Sequence, residues 1–304
     1  MRKIIHIGAN KTASTTLQRS YFSKSKFINY MGEDGNRYNE YASILNSMVL
    51  DDDLYFDESE CRKLFNRFLK KKPPQTFIFS NEDVMTTHIP AICAKRIYSF
   101  IGNASVLLVI RNQYKAIESF YANHGAFLKP APLSYFRKHV DFDDWIDHQL
   151  RFDKYGAFAS FKYHSILKIY ENLFGKSNIH ILFFEDFMND KKSFSYNLAD
   201  ILKLPKEDAY KLIEGSHERK RITNRSLLYN RFRTNFLWGV NFSSYLPFSA
   251  FFSNNFNKFL LSGRPAEIKM SDKTRKKVYD FYKKDNFLLA SKYNLALSKH
   301  GYPI

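Results

Sequence analysis

Four runs of consecutive apolar residues punctuate the chain: Lys3 to Gly8 (KIIHIG), Thr76 to Ser80 (TFIFS), Ser105 to Ile110 (SVLLVI) and Asn178 to Phe184 (NIHILFF). Each is short for a helix and lacks the alternation of a strand with one wet face, so each predicts a strand buried on both sides. The intervening segments repeat at helical spacing. Leu17 and Tyr21 do so within Thr12 to Lys24, as do Ala116, Ile117, Phe120 and Tyr121 after Arg111. Phe142, Trp145, Ile146 and Leu150 share a face behind a candidate N-cap, Asp141, and Gly175 closes a helical pattern just ahead of the fourth run. Near the end, Pro247 can open a helix that Gly263 closes, and Ser271 can cap another carrying Val278, Phe281 and Tyr282. Buried strands alternating with helices predict an α/β three-layer sandwich, a central parallel sheet flanked by helices, with a helical C-terminal portion. There is no internal repeat and no linker-like stretch, so one domain is expected over 1–304, with the α/β core in 1–225 and helices in 226–304.

Composition changes this picture in one respect. With 304 residues and 44% hydrophobic content the chain can bury a sizeable core, but its formal net charge of +17 makes the surface strongly electropositive. Phosphates, sulfates, polyanionic glycans and anionic membrane faces become candidate partners. Nucleic acid is not expected, because no zinc-finger or RNP-type signature accompanies the charge. Cys61 and Cys93 form no CxxC pattern, which supports neither a disulfide framework nor a zinc site and fits a reducing, cytoplasmic compartment. The N-terminal apolar run is broken by His6 and is too short for a signal-peptide core, and no segment approaches ~18 apolar residues.

The candidate chemistry begins where the first strand gives way to a helix. The stretch HIGANKTASTTLQ places Gly8 at the turn, Lys11 three places later, and then Thr12, Ala13, Ser14, Thr15 and Thr16. A helix N-terminus at the carboxyl end of a parallel strand favours an anion, which a mobile lysine and short hydroxyl donors would help to hold. An ordinary N-capped helix after a strand has a similar composition. The phosphate-loop spacing GxxxxGK[ST] is absent. No acid follows the most hydrophobic strand to help hold magnesium, since that strand ends in Arg111.

These residues resemble the sulfotransferases that use 3′-phosphoadenosine 5′-phosphosulfate. Gly8 to Thr15 (GANKTAST) matches that family's G-x-x-K-T-G-T-T loop apart from Ala13 and Ser14, and Arg111 with Ser119 in VIRNQYKAIESFY reproduces its second motif. SNED after the second run, FGKSNIHILFFEDF and the ending DNFLLASKYN extend the likeness over nearly the whole chain, weakly after residue 225. The resemblance implies a P-loop-like sulfotransferase fold and a metal-free transfer leaving 3′,5′-bisphosphoadenosine. It implies that Gly8, Asn10, Lys11, Thr12, Ala13, Ser14, Thr15 and Thr16 hold the 5′-phosphosulfate. Arg111 and Ser119 would hold the 3′-phosphate, joined by a basic loop of Arg219, Lys220, Arg221 and Asn224, which otherwise reads as a solvated charged turn. Ala13 stands where the family has glycine and would strain a left-handed backbone.

Sulfonyl transfer needs charge neutralised on the departing phosphate and a proton removed from the acceptor. Lys11 suits the first task. Glu82, directly beyond the second apolar run, and His88, six residues on, are rival bases for the second; Glu82 could instead stabilise the dipole of its own helix. His6 reads as a packed core residue, and Glu185 with Asp186 as a structural strand end. The expected acceptor is a hydroxyl of a carbohydrate or glycoconjugate. A kinase-like nucleotide-dependent transferase and a non-catalytic anion- or membrane-binding protein are the competing expectations. Phe248, Phe252, Phe256 and Phe259 recur at helical spacing, which suits inward packing. The basic run Lys273, Arg275, Lys276 and Lys277, then Lys283 and Lys284, could instead meet the inner membrane face peripherally.

Overall fold

The computed structural model describes residues 2–32, 41–70, 76–124, 133–136, 138–152, 157–216, 222–237 and 249–304. They form two compact units. The first gathers Met1–Gln113, Ala159–His217 and Tyr282–Ile304; the second gathers Tyr114–Phe158 and Glu218–Phe281. The units therefore interleave along the chain.

The first unit is built on a parallel sheet of five strands. They are β1 (Lys3–Ile7), β2 (Ile28–Gly32), β3 (Thr76–Asn81), β4 (Ser105–Ile110) and β5 (Ile179–Phe183), in the spatial order β2-β3-β1-β4-β5. Four of them are the predicted runs. The fifth, β2, escapes the reading of apolar runs because the buried Asn29 interrupts INYMG. The register pairs Ile7 with Asn81 and Ile110 with Phe183, so the strands finish together along one edge.

Pleating sends alternate side chains to opposite faces, and both faces are covered. On one side Ile4, Ile78, Leu107 and Val109 pack with Leu17, Tyr21 and Phe22 of the helical segment Ser14–Phe22, and with Phe194, Leu198 and Ile213 from helices Lys191–Leu202 and Lys206–Glu214. On the other, Phe77 meets Phe65 and Phe68 edge-on, at ring separations of 5.7 and 6.0 Å, on helix Glu58–Lys70. Helices Pro90–Ile101 and Tyr163–Phe174 complete that layer with buried Ile97, Leu167 and Tyr170. The expected three-layer α/β sandwich is the observed one.

In the second unit, Trp145 of helix Phe142–Arg151 is enclosed by Phe120, Tyr121 and Phe158. Asp141 does stand at the N-cap of that helix, yet its side chain makes no capping hydrogen bond; it lies 3.6 Å from Arg231. Ser271 caps as expected, accepting from the Thr274 amide at 3.3 Å. A further helix spans Ser249–Leu261; Pro247 and Phe248 lie outside the described residues. Phe256 and Phe259 do not pack inward: they stay about half exposed, one edge-on to Tyr229 and the other beneath the Arg225 guanidinium. Part of the basic run is paired within the unit, Lys277 with Asp147 at 2.6 Å and Arg275 over the Tyr114 ring. Among the described residues no helix is long and apolar enough to cross a membrane.

Candidate active site

Because the strands are parallel, the residues that follow β1, β3, β4 and β5 gather at one edge of the sheet. The strand order reverses around β1, which sits between β3 and β4, and such a crevice is where open α/β sheets bind ligands. Gly8, Glu82, Arg111 and Glu185 all lie there, within the first unit.

The loop after β1 is held by its own side chains. The Ala9 carbonyl accepts from Thr12 Oγ1 at 2.7 Å and from Ser14 Oγ at 3.0 Å, and those two hydroxyls lie 3.2 Å apart. Both residues are buried. Each hydroxyl gives its one proton to that carbonyl, and the pair so shapes the loop. The backbone takes left-handed values at Lys11 (φ 65°) and Ala13 (φ 63°). Ala13 thus occupies the conformation that glycine would hold without strain, at a cost of about 1–2 kcal/mol.

Gly8 matters for a different reason than the sharp turn expected of it. A Cβ there would sit 2.9 Å from Ser14 Oγ and 3.1 Å from Glu82 Cγ, so the absent side chain is what lets β1, the loop and Glu82 converge. Glu82 in turn accepts from Thr15 Oγ1 at 3.2 Å. It does not cap its own 3₁₀ turn (Asp83–Met85); the amide of Asp83 is taken by Asn81 Oδ1 at 2.6 Å. That favours a carboxylate directed at the loop over one serving its helix. His88 is exposed, between that turn and helix Pro90–Ile101, where Thr87 Oγ1 donates to the Val49 carbonyl at 2.6 Å.

Arg111 joins β4 to the same loop. Its Nη1 donates to the carbonyl of Lys11 at 2.8 Å, and its guanidinium lies 4.4 Å from the centre of the Phe184 ring. The Tyr163 hydroxyl bridges the Arg111 backbone, donating to its carbonyl at 2.9 Å and accepting from its amide at 3.3 Å. Glu185 receives the Asn112 amide at 2.9 Å, which agrees with a structural strand end. Tyr163 and Phe184 carry no signal in the sequence that would have singled them out. Nor do Asn112 and Gln113, two amides one residue beyond β4 that the structure buries and that must therefore find partners.

Ser119 lies on helix Gln113–His124 in the second unit, as does Asn224, the exposed first residue of helix Asn224–Phe236. Arg219, Lys220 and Arg221 lie outside the described residues. His6 is fully buried beneath the loop, its Nδ1 2.7 Å from Ser80 Oγ, and burial pushes its pKa down to about 3. No group of three or more His, Cys, Asp or Glu side chains among the described residues is placed to hold a metal ion.

No family model matches the chain, and the curated proteins include no significant match. Among solved structures, a sulfotransferase from Alicyclobacillus acidocaldarius superposes over 99% of this chain and 98% of its own, with a TM-score of 0.57 at 14% identity. The chain has the sulfotransferase fold. More distant likenesses include the sulfotransferase domain from the curacin biosynthetic pathway (69% of this chain, 77% of that one, TM-score 0.45, 12% identity). Mouse sulfotransferase SULT7A1 complexed with PAP is another (92% and 89%, TM-score 0.33, 14% identity). At such identities the likeness establishes architecture, and activity has to be argued from the site.

Proposed function

We propose that the chain transfers a sulfo group from 3′-phosphoadenosine 5′-phosphosulfate to an acceptor hydroxyl, of a carbohydrate or glycoconjugate. The observation that carries this reading is the hydrogen bond from Arg111 Nη1 to the Lys11 carbonyl, which brings the guanidinium of one sequence motif onto the loop formed by the other. Left-handed backbone at Lys11 and Ala13 gives that loop the concave main-chain form that binds anions, so the residues present fit the donor.

The donor brings a sulfonyl group already activated on a phosphate oxygen. Lys11 neutralises the charge that develops on the departing phosphate, and the loop from Gly8 to Thr16 orients it. Arg111 holds the 3′-phosphate. Glu82, steadied by the Thr15 hydroxyl at 3.2 Å, takes the acceptor proton. A sugar hydroxyl suits this arrangement because a carboxylate can both hydrogen-bond the hydroxyl and accept its proton, and the positive surface favours anionic glycans.

Calorimetric titration with 3′,5′-bisphosphoadenosine tests the donor assignment. Tight binding is expected, and Lys11→Ala or Arg111→Ala should each weaken it by about 1.5–3 kcal/mol. Absence of binding to the unaltered chain would defeat the proposal and leave a non-catalytic anion binder. Glu82→Gln should lower turnover by ~10²–10⁴ with donor affinity nearly intact. If His88→Ala lowers turnover to that extent and Glu82→Gln does not, the base is His88. Turnover that persists in a chelator argues against a kinase-like nucleotide transferase.

A further inference from the structure

Two residues just beyond β4, Asn112 and Gln113, are gripped by residues 286–301. Gln113 and Asn286 are both fully buried and exchange hydrogen bonds: Gln113 Nε2 donates to Asn286 Oδ1 at 2.8 Å, and Asn286 Nδ2 to Gln113 Oε1 at 3.2 Å. Their second amide protons go to the Phe161 carbonyl at 3.3 Å and the Pro303 carbonyl at 2.8 Å. All four are therefore used. Asn112 Nδ2 reaches the His300 and Gly301 carbonyls at 2.9 and 2.7 Å. Glu185 closes the ring, taking the Asn112 amide on one oxygen and the Tyr302 hydroxyl on the other at 3.1 Å.

A second tie approaches from the other flank. Asp285 receives the amides of His164 and Ser165, each at 3.0 Å, and so fixes the start of helix Tyr163–Phe174. That helix begins with Tyr163, whose hydroxyl holds the Arg111 backbone. Burying so many amide and carboxylate groups contributes little net stability compared with apolar packing of the same volume, whereas a fully satisfied polar network specifies one geometry.

We infer that residues 285–303 act as a positioning clamp that sets the direction of Arg111, and through its hydrogen bond to Lys11 the shape of the anion loop. The consequence for donor affinity rests on the donor reading above; the consequence for the loop does not. Tyr302→Phe removes one hydroxyl from the ring with little change in volume, and Asn286→Ala removes the central amide.

Hydrogen exchange on the ligand-free chain reads the first consequence. Both variants should exchange several-fold faster in residues 8–16 and 110–113 while β2 and β3 keep their protection; unchanged exchange in 8–16 would overturn the inference. Titration with bisphosphoadenosine reads the second. Tyr302→Phe should weaken binding about three- to tenfold, the worth of one hydrogen bond. In an Arg111→Ala background the same substitution should weaken it no further, since the effect runs through Arg111. Additive losses in that double-mutant cycle would overturn the clamp. Failure of the unaltered chain to bind would sink the donor reading alone, with the exchange result still deciding the inference.

Discussion

Two small residues set the geometry of the anion loop by opposite means. Gly8 is needed for space, since Ser14 Oγ and Glu82 Cγ would both lie within about 3.1 Å of an added Cβ. Gly8→Ala should therefore displace both Ser14 and Glu82, weakening bisphosphoadenosine and lowering turnover together, which calorimetry and kinetics read; unchanged affinity would show that the loop absorbs the methyl group. Ala13 instead carries strain, holding φ 63° with a Cβ in place. Ala13→Gly should raise the stability to urea by about 1 kcal/mol, the relief of left-handed strain less the entropy that glycine adds to the unfolded chain. A variant no more stable than the parent would show that the loop does not hold this conformation in solution. The positions of both residues were legible in the sequence, and so was the strain at Ala13, through the glycine that the resembling family carries there. The reason for Gly8 was not, because a Cβ contact depends on neighbours distant along the chain.

At the scale of elements, β1 carries an uncommon passenger. His6 lies in the middle of a buried strand, with Phe22 edge-on to its ring at 5.4 Å, and Ser80 Oγ beside it also accepts from Gln18 Nε2 at 3.0 Å. Folded His6 stays neutral down to about pH 3, whereas in the unfolded chain it protonates near 6.5. The unfolded state then binds the extra proton, so stability falls as pH drops from 6.5 towards 3, by up to about 1.4 kcal/mol for each unit. Burial lowers His180 in the same direction and adds to the trend. His6→Leu, which leaves Ser80 paired with Gln18, should flatten the pH dependence of the urea midpoint between pH 6 and 4. An equal slope in that variant would place the acid sensitivity elsewhere. The strand itself was plain from its apolar run; β2 was not, because one buried asparagine breaks the pattern that apolar counting relies on.

On the scale of the whole molecule, the net charge of +17 acts at long range, and its effect is kinetic. The association rate of bisphosphoadenosine should fall roughly tenfold between low salt and ~0.5 M, as screening shortens the reach of the surface field, with a smaller change in dissociation. A rate indifferent to salt would mean that the charge lies away from the path of the ligand. The exposed row of Leu228, Phe232 and Phe236 on helix Asn224–Phe236 belongs to this scale as well, since no single-helix pattern explains large apolar side chains left in water.

Sequence alone determined the alternation of buried strands and helices and the parallel sheet, because these follow from local spacing and from residue types that water excludes or accepts; the two cationic motifs came from the resemblance to a family. Only the tertiary structure decided that Arg111 grips the carbonyl of Lys11, that Thr12 and Ser14 turn inward, that Glu82 faces Thr15, and that the last twenty residues clamp the end of β4. The bonds of Thr12 and Ser14 to Ala9 are local to the loop; the others are directional hydrogen bonds between groups far apart in the chain, fixed by packing of the whole sheet and its helices and not by any pattern within one segment.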